Sequence, residues 1–268
     1  MYIDPLTRRL LRGAGAVPSS EGRGPVLLMY HSISSDAGRW AVTEKSFREH
    51  IAILVSEGWT TVCVRDLKLI DLPARAVALT FDDGYDDNFR GAFLPLAEAG
   101  MRATWFIVSG AIGKGANWDQ GPGRRMLDGK QLREMESCRM EIGSHTRSHP
   151  RLTETGAGEI EEEISGSKKD LEDVLGSPVG SFAYPYGLHD EASVAAVRAA
   201  GYTAACTTRT GWYGSEKDQL RLRRVAVFPD DSPSAFARKL VFADNRVDWP
   251  TTARYMASRV RARLGFAG

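Results

Sequence analysis

Between residues 25 and 227, apolar runs of strand length take turns with segments of helical period, and that alternation leaves few folds open. PVLLMY (25–30) reads as a strand and SFREHIAILVSEG (46–58) as a helix. RAVALTF (75–81) is a strand, and NFRGAFLPLAEAG (88–100) a helix closed by Gly100. ATWFIV (103–108), MEIGS (140–144), VGSFAY (179–184), YTAACTT (202–208) and LRRVAV (222–227) continue the strand series. GKQLREMESC (129–138), AGEIEEEISGSKKDLEDVLG (157–176) and ASVAAVRAAG (192–201) supply helices between them. Such a pattern implies parallel strands joined by crossover helices, in an open sheet or a barrel. Polar and turn-prone residues at the strand ends decide between the two. His31 follows the first strand, Asp82 and Asp83 follow ALTF, His145 follows MEIGS, and Tyr186 follows SFAYP. In an α/β barrel the C-terminal strand ends meet on one rim, where active sites are built. The expectation is a distorted (β/α) barrel of about seven parallel strands.

One barrel-sized domain accounts for all 268 residues, and an apolar fraction of 43% is enough for a core without disulfides. A net charge of +1 argues against nucleic acid as the main partner, because phosphate binding needs concentrated basic surface. Cys63, Cys138 and Cys206 are odd in number, lack a CxxC pair and read as free thiols, the apolar contexts as buried ones. Residues 1–24 read as a flexible lead-in, rich in Gly, Pro and Ser from residue 13. This segment lacks the continuous apolar stretch of a secretory signal, and no run reaches the ~20 apolar residues of a membrane span. A cytoplasmic location is the expectation. Residues 25–230 would form the barrel and 231–268 a helical extension. The basic tail from Pro250 reads as a helix closing the barrel, with a membrane-surface anchor as the alternative.

Two motifs carry chemistry. In Thr80-Phe81-Asp82-Asp83-Gly84, adjacent carboxylates repel unless a cation or a proton intervenes. Asp-Gly is also ordinary turn chemistry. In His145-Thr-Arg-Ser-His149, two imidazoles four residues apart would meet on one face of a helical turn and suit a shared metal ion. Alone, that spacing is weak. One carboxylate with two imidazoles makes a three-ligand site with open positions, the layout of a hydrolytic metal, and leaves the other carboxylate available as a base.

TFDDGYDDNF, ATWFIV, EIGSHTRSHPRL and SFAYPYG stand in the order and approximate spacing of the polysaccharide deacetylases, the NodB-homology enzymes of carbohydrate esterase family four. The chain resembles that family from about residue 25 to 230. The resemblance implies a NodB-type barrel that removes acetyl groups from N-acetylated amino sugars of a polysaccharide or oligosaccharide. It implies Asp82 as general base and Asp83, His145 and His149 as ligands of one divalent ion, zinc first, with Co2+, Ni2+ or Mn2+ as alternatives. The Tyr186 backbone N–H would help hold the oxyanion.

Two departures qualify it. Relatives often carry a base-tethering arginine where this chain has Ala183, and a C-terminal leucine-x-histidine motif that supplies the acid. No histidine occurs here after His189, and the first strand ends in Leu-Leu-Met-Tyr-His31. This order resembles the permuted branch of poly-N-acetylglucosamine deacetylases, so His31 is the candidate acid, with a structural histidine as its alternative. Arg224 is the candidate for the missing arginine and Arg223 its competitor. Tyr184, Pro185 and Trp212 are candidate substrate contacts, and Trp118 a further aromatic that could stack on a sugar. His50 reads as a surface or groove residue, His189 as a less favoured site residue, and Glu159 to Glu163 as a solvated helix face. Competing functions are an amide hydrolase of a small or lipid-linked N-acylated substrate on the same barrel, and an inactive sugar-binding protein. A glycosidase is disfavoured, because neighbouring carboxylates near one metal cannot flank a bond about 5–9.5 Å apart.

Overall fold

The computed structural model describes residues 2–14, 24–35, 38, 40–68, 72–116, 118, 124–250, 252, 253 and 257. Among these residues ten short strands are found: β1 (Val26–Tyr30), β2 (Ser32–Ile33), β3 (Ala41–Val42), β4 (Thr60–Val62), β5 (Ala76–Phe81), β6 (Thr104–Ile107), β7 (Glu141–Ser144), β8 (Ser181–Ala183), β9 (Ala204–Cys206) and β10 (Val225–Ala226). Seven of them pair in parallel in the order β10-β1-β5-β6-β7-β8-β9. β5 is shared along its length. Its first half pairs with β4, from Thr60↔Ala76 to Val62↔Ala78, and its end with β6, at Thr80↔Thr104 and Phe81↔Trp105. Beyond β9 the curve continues. Cys206 bridges Leu222, the Leu222 N–H donates to Ala205 O (2.8 Å), and the Arg224 N–H donates to Arg209 O (2.9 Å). The chain then enters β10, which pairs with β1 at Leu28↔Val225 and Met29↔Ala226. The result is the expected distorted α/β barrel.

Every residue of β1, β5 and β6 is buried, as befits parallel strands covered on both faces. Alternate residues divide between two clusters. Leu27, Ala78, Phe106, Ala183, Cys206 and Leu222 fill the inside. Leu28, Tyr30, Leu79, Phe81 and Trp105 join the larger cluster under the helices. Those helices are α1 (Pro5–Ala14), α2 (Glu44–Ser56), α3 (Leu94–Glu98), α4 (Gly129–Ser137), α5 (Ala157–Glu161), α6 (Ser167–Leu175), α7 (Glu191–Ala199) and α8 (Pro233–Phe242). α5 runs into α6 through a wide π-type turn at Glu162–Gly166, so the long helix expected over 157–176 carries a bulge. Among the described residues, no helix is long and apolar enough to cross a membrane.

Several expectations need correction. Much of the supposed lead-in is α1, packed on α8 with Ile3, Thr7 and Leu11 buried. Asp4 caps it, accepting from the Thr7 N–H at 2.9 Å, while the Asp4 N–H donates to Ser234 Oγ at 3.0 Å. The Asp-Pro start and the Ile3, Thr7, Leu10, Leu11 spacing are helix signals that the downstream glycines obscured. Residues 15–23 lie outside the described residues, as does most of the basic tail beyond Pro250. β4 went unread because it is only three residues long. Cys63 and Cys206 are buried and Cys138 exposed, all three free; burial pushes the thiols of Cys63 and Cys206 up to about 12. His50 is neither a surface nor a groove residue. It is buried on α2, stacked 4.0 Å from the Phe236 ring and 3.1 Å from the Tyr30 hydroxyl. Burial, then the charge of Lys239, lowers it to about 3.

Two stability measurements follow. Leu11→Ala should cost about 2–5 kcal/mol in urea unfolding, whereas a loss below about 0.5 kcal/mol would mean that α1 is not docked. Because the folded His50 value lies below its ordinary 6.5, its contribution is complete above that pH and is lost as pH falls toward 3. His50→Gln should therefore flatten the acid side of the stability curve. The wild type should lose roughly 2 kcal/mol relative to the variant between pH 7 and pH 5; parallel curves would refute the assignment.

Candidate metal centre and active site

Strand register brings the motifs together. Tyr30 pairs with Phe81, so His31 and Asp82 leave the sheet side by side, with the Asp82 N–H donating to Tyr30 O at 3.0 Å. One strand pair further on, Ile107 is level with Ser144, and the His145 N–H donates to Ile107 O at 2.8 Å. Asp82, Asp83, His145 and His149 are all buried. Asp83 takes a left-handed backbone (φ 72°), and the two adjacent carboxylates face different partners.

Asp82 meets Arg224. The guanidinium donates to both carboxylate oxygens, at 2.6 and 2.7 Å. It also donates to Thr80 Oγ1 (3.1 Å) and to Thr207 O (2.9 Å). Arg224 is fully buried. Burial alone would raise the Asp82 carboxyl, but the charge and hydrogen bonds of Arg224 outweigh it and hold the group at about 2. Arg223 turns elsewhere, to Thr210 O and Glu216. Ala183 adds only a methyl to the inner cluster, but its carbonyl accepts from His145 Nδ1 at 2.7 Å.

Asp83 meets the histidines. Its Oδ1 lies 3.6 Å from His145 Nε2 and 3.4 Å from His149 Nε2, and one donor atom from each residue falls within 4.8 Å of the others. Ligands about 2.1 Å from a tetrahedral ion stand about 3.4 Å apart. The three donors therefore fit one ion. The bond from His145 Nδ1 to Ala183 O leaves its Nε2 lone pair facing the centre. Burial lowers both imidazoles, His149 to about 2 with His145 as the next cause, which keeps them in the neutral, ligating form. The helical-turn rationale for the pair is wrong, however. Residues 145–149 form a loop with Thr146 and His149 left-handed at φ 68° and 64°. The His149 N–H donates to Thr146 Oγ1 (3.0 Å), and the loop geometry, not a helix face, makes the imidazoles converge. Each such residue costs about 1–3 kcal/mol.

Other candidates fall into place or out of it. His31 stacks on Trp40 with ring centroids 4.8 Å apart, close enough to Asp82 and His149 for a proton on it to act on both. Asn88 donates to His31 O (2.9 Å) and accepts from Trp105 Nε1 (3.1 Å). Tyr186 is left-handed (φ 58°), 45% exposed, and its ring stands against His149 at 4.7 Å with Arg151 over it. Trp118 stacks on His149 at 5.1 Å. Tyr184 is no substrate contact: its side chain is fully buried and its hydroxyl donates to Leu220 O (3.1 Å). Pro185 is also buried, shaping the turn that carries Tyr186. Trp212 packs half-buried against the main core. His189 sits beside the Tyr184 ring with Nδ1 on Gly187 O (2.9 Å). Glu162 and Glu163 are not simply solvated, since both reach the histidine loop.

This chain is similar to known proteins in sequence and in fold. A family model described as polysaccharide deacetylase matches residues 70–205. YxkH of Bacillus subtilis is 32% identical over 215 residues, covering 78% of this chain and 74% of its own. A Staphylococcus aureus poly-beta-1,6-N-acetyl-D-glucosamine N-deacetylase is 23% identical over 187 residues, covering 65% of this chain and 63% of its own. Among solved structures, the Streptococcus pyogenes deacetylase PplD in complex with acetate superposes with a TM-score of 0.71 at 25% identity, over 81% of this chain and 97% of that one. The chain belongs to the polysaccharide deacetylase family and is a hydrolase of the deacetylase class.

The buried ion pair can be tested without substrate. Arg224→Met should destabilise the metal-stripped protein by about 3–5 kcal/mol, because it strands a buried carboxylate. Asp82→Asn should also be costly, and the double variant should cost about 1–3 kcal/mol less than the sum. Because the folded Asp82 value lies below its ordinary 3.8, this coupling should persist above pH 4 and fade as pH falls toward 2. Additivity in urea titrations at pH 7 would disprove the pairing.

Proposed function

We propose that residues 25–230 form the catalytic unit of a metal-dependent N-deacetylase. Its substrates would be polysaccharides or oligosaccharides carrying N-acetylated amino sugars, of the poly-N-acetylglucosamine kind. The observation that carries this reading is the pairing of one carboxylate with a buried arginine beside a second carboxylate aimed at two neutral imidazoles. The name of the Staphylococcus aureus relative and the acetate in the PplD structure support the substrate class and the product. An inactive sugar-binding protein would need a broken triad or base, and all four residues are present.

Asp83, His145 and His149 would hold the ion. A divalent ion there, zinc by its preference for this donor set, would supply the Lewis acidity that acidifies a water and polarises the acetyl carbonyl. Asp82, kept ionised by Arg224, takes the proton from the attacking water. The Tyr186 N–H donates to the carbonyl oxygen as it becomes an oxyanion, a contact typically worth about 3–4 kcal/mol. His31, protonated, passes its proton to the sugar nitrogen as the C–N bond breaks. Acetate and the free amine leave. Trp118 and Trp40, stacked against His149 and His31, are the aromatic surfaces best placed to face a sugar ring.

The test is acetate release from N-acetylglucosamine oligomers, run from monosaccharide to pentasaccharide, with bound metal quantified in parallel. Wild type should hold one divalent ion per chain and release acetate. Asp82→Asn should keep the ion and lose roughly 10²–10⁴-fold in turnover. His31→Ala should lose kcat on amides far more than on an aryl acetate, whose leaving group needs no proton. Retention of a stoichiometric ion by the His145→Ala, His149→Ala double variant would sink the site. Activity confined to a small or lipid-linked amide would replace the substrate class.

A further inference from the structure

The histidine loop is held by residues that touch neither the proposed ion nor its ligands' side chains. Between His145 and His149, the N–H groups of Arg147 and Ser148 both donate to Glu163 Oε2 at 2.8 Å, and the Ser148 hydroxyl donates to Oε1 at 2.5 Å. The Arg147 side chain makes a second anchor. Its Nε and Nη2 donate to the two oxygens of Asp170 at 2.8 Å each, and Nη1 pairs with Glu162. Asp170 also accepts from the Ser109 hydroxyl at 2.9 Å, on the opposite flank of the loop.

Two glycines let neighbouring segments approach Arg147 closely. A Cβ at Gly110 would stand 2.5 Å from Arg147 O, and one at Gly166 would stand 2.7 Å from the Arg147 guanidinium carbon. Gly166 closes the π-type turn Glu162–Gly166. A regular helix there would shift the register between Glu162 and Glu163 on one side and Asp170 on the other, and all three reach the loop. Bulges of this kind cluster at functional sites. Here the bulge has a definite task.

We propose that Glu163 and Arg147 are positioning residues for the metal centre, clamping the 145–149 loop in its left-handed form so that both imidazoles converge. This rests on the reading of Asp83, His145 and His149 as a metal site. Removing the clamp allows His149 to relax from its strained backbone, which separates the donors and weakens the ion. Outer contacts to ligand-bearing groups typically change metal affinity roughly 10–100-fold.

The experiment is calorimetric titration of Zn2+ into the metal-stripped full chain, with the thermal midpoint of the same apo samples measured alongside. Glu163→Ala should weaken Kd by roughly 10–100-fold. Glu163→Gln, which keeps an oxygen acceptor for the two N–H groups, should recover most of that loss. Arg147→Lys, which retains the charge but not the two-pronged contact, should fall between them. Glu161→Ala, an exposed neighbour on the same helix, should match wild type. A merely structural Glu163 would lower the apo midpoint and leave Kd alone, which would overturn the clamp. So would wild-type affinity in both Glu163→Ala and Arg147→Lys. Failure of the wild type itself to bind Zn2+ would overturn the metal reading, and the clamp with it.

Discussion

Two carboxylates adjacent in sequence cannot both be buried beside one another as anions, and the architecture of this site follows from how that conflict is resolved. Asp83 turns into the left-handed region and faces the imidazoles, while Asp82 stays extended from β5 and receives a guanidinium. Burying Arg224 would be prohibitive without that carboxylate. Two more of its N–H groups are engaged, by Thr80 of β5 and by Thr207 just beyond β9. The inner cluster therefore contains a charge network that joins β5, β9 and the approach to β10. That network gives Asp82 an acid strength far from that of an ordinary buried carboxyl, and makes the charged form its resting state.

Chain order matters less here than adjacency around the ring. β1 lies between β10 and β5, so one neighbour of His31 carries Arg224 and the other carries Asp82. A barrel can begin its sequence at any strand provided the same side chains arrive at the rim. Ala183 shows the compensation. A residue at that position could approach the base from β8, and here the charge arrives from the segment before β10 while Ala183 offers a carbonyl to His145. Asn88, at the start of the helical segment that follows, completes the tie by donating to His31 O.

Periodicity exposed the barrel because parallel strands buried on both faces, separated by amphipathic helices, leave long and regular signals. The four central residues were legible for a related reason: polar groups at the ends of apolar strands have few structural roles. What stayed hidden depends on tertiary contact. Tyr184 looks the same in sequence whether it faces a sugar or Leu220 O, and strand alternation is too short at β8 to decide. His50 was misread because α2 is covered by α8, some 190 residues later, where Phe236 stacks on the ring. The acidic run 159–163 resembles a solvated face because its bulge, which turns Glu163 toward the loop, has no signature in composition. α1 was the avoidable error, since its cap and spacing were on view.

Backbone strain explains why the site needs so much support. Among the described residues, six non-glycine positions have positive φ: Asp83, Arg139, Thr146, His149, Tyr186 and Ala243. Arg139 and Ala243 end α4 and α8, where a left-handed residue is the ordinary way to stop a helix. The other four surround one centre, and a β-branched threonine is among them. At about 1–3 kcal/mol each, their combined cost is comparable with the whole net stability of a domain, about 5–15 kcal/mol. Such geometry persists only where packing and hydrogen bonds over-determine it. The fully buried strands beneath the rim, the Asp82–Arg224 pair and the Glu163 contacts to the loop together meet that demand. The rigid part of the barrel stabilises a rim whose conformation, taken alone, the chain would abandon.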